Sequence, residues 1–210
     1  MIVPGGDGVL DLVYNSSTPT PDPIPLLLAY ADLQKSDPSK ERTLITTSSA
    51  SLFLARAGLL QGLAATTAPE YYAKLENLCK EAANHNAELQ TDVMEENYVV
   101  NNARFDLGED VDENPYILTK RPDGRRKSTA RKGSVSWKQS VSRKESGARR
   151  AALQLGGLRV ITAGGTESNS ARDAALYLVA AMVSHETSEK IAKGKNYQWQ
   201  KGCTVDGIDV

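Results

Sequence analysis

The sequence predicts an α/β fold built on parallel strands, and three observations lead there. Thr43–Thr47 is a β-branched and apolar run suited to a buried strand. It breaks into the small residues Ser48, Ser49, Ala50 and Ser51, after which Leu52, Leu54, Ala55 and Leu59 recur at helical spacing until Gly58 and Gly62. Strand therefore passes to helix in a tight turn at Ser48. Late in the chain, Leu158, Val160 and Ile161 restore a strand pattern that ends at Gly164-Gly165 and leads into another helix, the arrangement that places ligands at the carboxyl ends of parallel strands. With 210 residues and 40% hydrophobic composition, one sizeable core can be buried, so a single domain over 1–210 is the simplest count.

The elements follow in order. Ile2 and Val3 read as a buried strand entering a Pro4-Gly5-Gly6 turn, and the prolines at 19, 21, 23 and 25 mark an extended loop. A helix is expected from Leu26 to about Gln34, with Pro25 in its first turn and Leu26, Leu27, Tyr30 and Leu33 facing the sheet. After the helix that follows Ser48 come a short strand at Ala64–Thr67, a helix opened by Pro69 with Tyr72, Leu75 and Leu78 on one face, and an alternating strand at Tyr98–Phe105. From about 106 to 150 the chain is charged and poor in aliphatic residues, which predicts a flexible insert carrying no core. A strand at Arg159–Thr162 and a single helix from about Ser168 to Lys193 then close the fold, and the tail from Tyr197, with Trp199 and Val205, packs back on the surface.

A net charge of −1 gives no general attraction to nucleic acid or to a membrane, and no apolar run reaches the ~18 residues of a span. Twelve Lys or Arg lie between Lys120 and Arg150 against Asp123 and Glu145, whereas 86–114 holds nine acids against Arg104. Basic residues just before Ser128, Ser134 and Ser146 leave three readings open for this block: a contact with nucleic acid or an acidic partner, a kinase-regulated tether, or a solvated loop. Cys79 and Cys203 stand far apart without a C-x-x-C partner, and His85 and His185 are scattered, so neither a disulfide framework nor a metal site is expected. A reducing compartment fits this usage, with a cytoplasmic location and a nuclear one as the alternative.

The run from Thr43 to Thr67, with its small residue after the strand and then L-x-L-A-x-A-G-L-L-x-G and A-T-T, is similar to the nucleophile-elbow segment of the ThiJ/PfpI family, within the class I glutamine amidotransferase-like superfamily. Val3-Pro4-Gly5-Gly6-Asp7-Gly8 resembles that family's V-P-G-G-x-G turn, and 158–164 with 173–179 resembles its late strand and helix. The resemblance implies a three-layer sandwich with a mostly parallel, flavodoxin-like sheet. It further implies that the family's first strands, and the acid they carry, are missing before Met1. Ile2 and Val3 would then be an exposed edge and a route to a homodimer.

By the same resemblance, Ser48 stands where the family has its nucleophilic cysteine, and Gly5, Gly6 and Ser49 form the oxyanion and substrate pocket for a small carbonyl-type ligand. No cofactor is implied. The family's histidine directly after A-T-T is Ala68 here, and a serine hydroxyl needs a base within reach because it is protonated at neutral pH. The expectation is a catalytically degenerate member acting as a binding or regulatory protein. The alternative is a serine-variant enzyme of glyoxalase or deglycase, isonitrile hydratase or amidase-like type.

Overall fold

A computed structural model describes residues 1–15, 22–37, 40, 42–84, 86, 89–102, 157–165 and 169–205. In chain order these form β1 (Ile2–Val3), α1 (Gly8–Tyr14), α2 (Ile24–Ser36), β2 (Thr43–Thr47), α3 (Ser51–Arg56) and β3 (Ala64–Ala65). There follow α4 (Tyr72–Ala82), β4 (Asp92–Val93), β5 (Tyr98–Asn101), β6 (Arg159–Ala163), α5 (Ser170–Met182), α6 (His185–Gly194) and β7 (Cys203–Val205). Five strands make one sheet in the order β1-β2-β6-β5-β7, and β3 pairs with β4 separately. All pairings are parallel except that of β5 with β6. The chain is thus a mixed α/β protein with a mostly parallel sheet.

Successive strand residues point to opposite faces, and this period of two divides the core. Leu44 of β2 and Val160 of β6 pack with Val9, Val13, Leu27, Leu54 and Leu75 from the first four helices, whereas Ile45 and Ile161 pack with Ala174 and Tyr177 of α5. The register sets these rows side by side, since Leu44 lies opposite Val160 and Ile45 opposite Ile161. Leu44, Leu52 and Leu54 are fully buried, each worth about 1.5–3 kcal/mol relative to exposure. The predicted strands at 2–3 and 43–47 form as expected, and β6 runs one residue past the predicted Thr162.

Several elements differ from expectation. The buried residues of α2 are Ile24, Leu27, Ala31 and Gln34, so Leu26 and Leu33, expected on the inner face, are 61% and 54% exposed. Residues 24, 27, 31 and 34 follow helical spacing and share one face, and at 100° per residue Leu26 and Leu33 fall on the opposite side. The expected helix over 168–193 is two helices, broken at Val183 and restarted by Ser184, whose hydroxyl accepts from the Thr187 N–H at 3.2 Å. The tail does more than cover the surface: β7 pairs in parallel with β5, Val99 opposite Cys203. α1, β4 and β7 were not foreseen, because two to seven residues with at most two buried apolar positions carry too little periodicity.

The predicted insert over 106–150, and the end of the strand expected to reach Phe105, lie outside the described residues. Asn101 is opposite Val160 in the antiparallel pair, and the Asn102 side-chain amide donates to the Leu158 carbonyl at 2.8 Å. β1 is an edge strand with Ile2 68% exposed. Among the described residues no helix is long and apolar enough to cross a membrane.

Candidate functional site

The carboxyl ends of β1, β2, β3 and β6 come to one rim, and the chain leaves each in a small or polar residue: Pro4-Gly5, Ser48, Thr66 and Gly164. β5 runs the other way, so Glu96 and Asn97, just before it, arrive at the same rim. The amides of Gly164 and Gly165 both donate to the Asn97 carbonyl, at 3.1 and 3.2 Å.

Ser48 is the sharpest feature of this rim. Thr47 is extended and Ser48 has φ of +52°, after which Ser48–Ala50 form a 3₁₀ turn leading into α3. A non-glycine residue in this left-handed region costs on the order of 1–3 kcal/mol, and such residues concentrate at functional turns. The neighbours hold it there. The Ser48 carbonyl accepts from Thr67 Oγ1 at 3.0 Å, and the Gly5 amide donates to Thr47 Oγ1 at 3.3 Å. Two glycines let the walls close in. A Cβ on Gly5 would run into the Thr47 carbonyl and lie 2.8 Å from the Ser49 nitrogen, and one on Gly164, at φ +149°, would lie 3.0 Å from both Ser48 Cα and the Ala68 nitrogen. A side chain at either position would press on the backbone of the turn.

The structure therefore brings Ser48, Ser49, Gly5 and Gly6 together, and it also fixes how their polar groups are used. The Gly6 N–H donates to Ser49 Oγ at 3.1 Å, while Ser49 Oγ donates back to the Gly6 carbonyl at 3.1 Å. A reciprocal pair thus occupies both the amide and the carbonyl of Gly6. The Ser48 hydroxyl makes no hydrogen bond to any described residue. Ala68, buried at the start of the segment after β3, offers only a methyl group on this side.

Glu96 escaped the sequence pattern, where Glu95 to Glu113 look like one solvated acidic face. Its carbonyl accepts from Thr66 Oγ1 at 2.9 Å and lies against Gly165, and the residue is half-buried. That burial raises its carboxyl above the ordinary range, and no described cation pairs with it. Only the antiparallel direction of β5 brings it to the rim, and nothing in the spacing of Glu95-Glu96-Asn97 announces that direction.

The remaining titratable candidates sit elsewhere. His185 begins α6, where its Nε2 is 3.3 Å from Glu189 Oε1 and its ring lies 5.7 Å from that of Trp199. His85 lies outside the described residues. Cys79 is buried on α4 and its thiol is pushed up to about 11, chiefly by desolvation, which leaves it protonated and inert at neutral pH. No three His, Cys, Asp or Glu side chains converge as a metal site among the described residues. No protein family, no curated protein and no solved structure matches the chain.

Proposed function

We propose that this is a ThiJ/PfpI-like protein of three-layer, flavodoxin-like architecture whose Ser48 pocket binds a small carbonyl-type ligand without converting it, so that it acts by binding. The observation that carries this is the Ser48 hydroxyl itself, held in a strained turn at the ligand rim with no described base in hydrogen-bond reach. Such a hydroxyl stays protonated and is a poor nucleophile. The engaged Gly6 amide and the Ala68 methyl support the same conclusion. The reading of small-molecule binding is supported by the glycine-lined turn, where backbone groups and a strained side chain meet at the carboxyl ends of parallel strands.

The test uses the whole chain. Methylglyoxal and simple isonitriles should be consumed no faster than in buffer, and Ser48→Ala should leave that rate unchanged. Titration with acetamide, an unreactive carbonyl compound, should shift the amide resonances of Ser48, Ser49 and Gly164, and Ser48→Leu should abolish the shifts. Turnover clearly above background and lost in Ser48→Ala overturns the proposal.

A second reading, a serine-variant enzyme, has one observation in its favour: Glu96, a carboxyl on the same rim whose raised pKa would make it a better base than an ordinary carboxylate. It would need Glu96 ionised, so activity would fall as pH drops through the raised carboxyl value, and Glu96→Gln would remove that limb of the profile. A flat profile with no turnover leaves the binding function standing.

A further inference from the structure

α5 and α6 form a hairpin whose two free ends meet. Ser188 Oγ of α6 donates to the Leu176 carbonyl of α5 at 2.8 Å, and Val183-Ser184 make the short link beyond it. Arg172 comes before Leu176 and Lys195 after Ser188, so both cations lie on the same side of this contact. Tyr197 ties that end together: its N–H donates to the Ala192 carbonyl at 2.9 Å, and its hydroxyl donates to Asp173 Oδ1 at 2.8 Å. Between the helices runs a groove of about 510 Å³, lined by Arg172, Leu176, Val179, Ile191, Lys195 and Tyr197 among others. This volume is in the range of small-molecule sites. The groove is separate from the Ser48 rim, sharing no lining residue with the turn described above.

Its lining is mainly aliphatic, from Leu176, Val179 and Ile191, with Ile191 43% exposed. Arg172 and Lys195 border one end; the Arg172 Nη1 donates to Asn169 Oδ1 at 3.3 Å, and neither cation meets a carboxylate among the described residues. The carboxylate at the cationic end, Asp173, is fully buried and already receives the Tyr197 hydroxyl and, at 3.0 Å, the Gln200 N–H. The amino end of α5 adds a favourable field for an anion and the carboxyl end of α6 opposes it, so the two charged side chains decide the preference.

We propose that this groove binds a medium-chain carboxylate, its head group between Arg172 and Lys195 and its alkyl chain along Leu176, Val179 and Ile191. Seven residues separate Arg172 from Val179, about 10 Å of helix at ~1.5 Å per residue, which sets the length of chain the groove can cover. An alkyl tail gains from leaving water, and the charged head distinguishes a carboxylate from an alcohol of equal length.

Isothermal titration of the whole chain with decanoate, below its micelle concentration, tests this. Saturable one-to-one binding is expected, with decanol weaker by about tenfold. Arg172→Gln and Lys195→Gln should each weaken decanoate by about two- to fivefold, the size of a partly screened charge contact, and should leave decanol unaffected. Val179→Glu should remove binding of both. Circular dichroism establishes that each variant is folded; Arg172 and Lys195 are exposed, so their replacement leaves the core intact. Equal affinity for decanoate and decanol, unchanged decanoate affinity in both Arg172→Gln and Lys195→Gln, or no binding at millimolar decanoate would each overturn the assignment.

Discussion

Ser48 shows what one residue can carry. Its backbone sits where an L-residue is strained, yet it is not glycine, although glycine would occupy φ of +52° without penalty. The consequence is measurable. Ser48→Gly should keep or raise stability by up to about 1 kcal/mol, against the loss that removing a side chain from a regular segment usually brings. Chemical denaturation of the two proteins decides it: a loss of more than about 1 kcal/mol, read from the midpoint at unchanged slope, would mean the hydroxyl and not the strain dominates. The same turn was legible in the sequence, because a β-branched run ending in small residues before a helical period leaves few other geometries. The use of its polar groups was not. That Ser49 closes on Gly6, and that Glu96 reaches the rim, depend on pairings between strands far apart in the chain, and side-chain spacing along one segment holds no record of them.

At the level of elements, the hairpin of α5 and α6 depends on a cap. Ser184 is extended, and its hydroxyl receives the Thr187 N–H, satisfying a donor that the first turn of α6 would leave without an intrahelical partner. Ser184→Ala should lower stability by about 1 kcal/mol, seen as a shift in thermal midpoint, and Ser184→Asp should restore most of it. No difference between serine and alanine would show that contacts between the two helices, such as that of Ser188 with the Leu176 carbonyl, set the break without the cap. Elements with long apolar periods, such as β2, α4 and β6, could be read from sequence because each buries enough to betray its period. The break at Val183-Ser184 could not, since Ala180, Ala181 and Met182 continue the helical pattern up to it and the cap that restarts the chain is a single serine with no period of its own. β7 was hidden for a related reason: Cys203-Thr204-Val205 is three residues long and is a strand only because β5 offers an open edge.

For the whole molecule, the antiparallel meeting of β5 and β6 in a sheet otherwise parallel has a topological consequence. Asn102 and Leu158, though 56 positions apart, are joined by a hydrogen bond, so the chain comes back to the point from which it departed. In the folded architecture this is a β-hairpin, and everything between its two arms is, to the sheet, a connection of zero span. Exchanging residues 103–156 for a four-residue Asn-Gly-containing turn should preserve the amide resonances of β2, β5 and β6, and the shorter closure should add up to about 2 kcal/mol of stability. Loss of the β2 and β6 signals in the shortened chain would show that the excursion is part of the core. If they persist, the protein can be treated as two separable inheritances: a sheet that builds a rim for a ligand, and a graft that could be exchanged, lengthened or lost without the rim being disturbed.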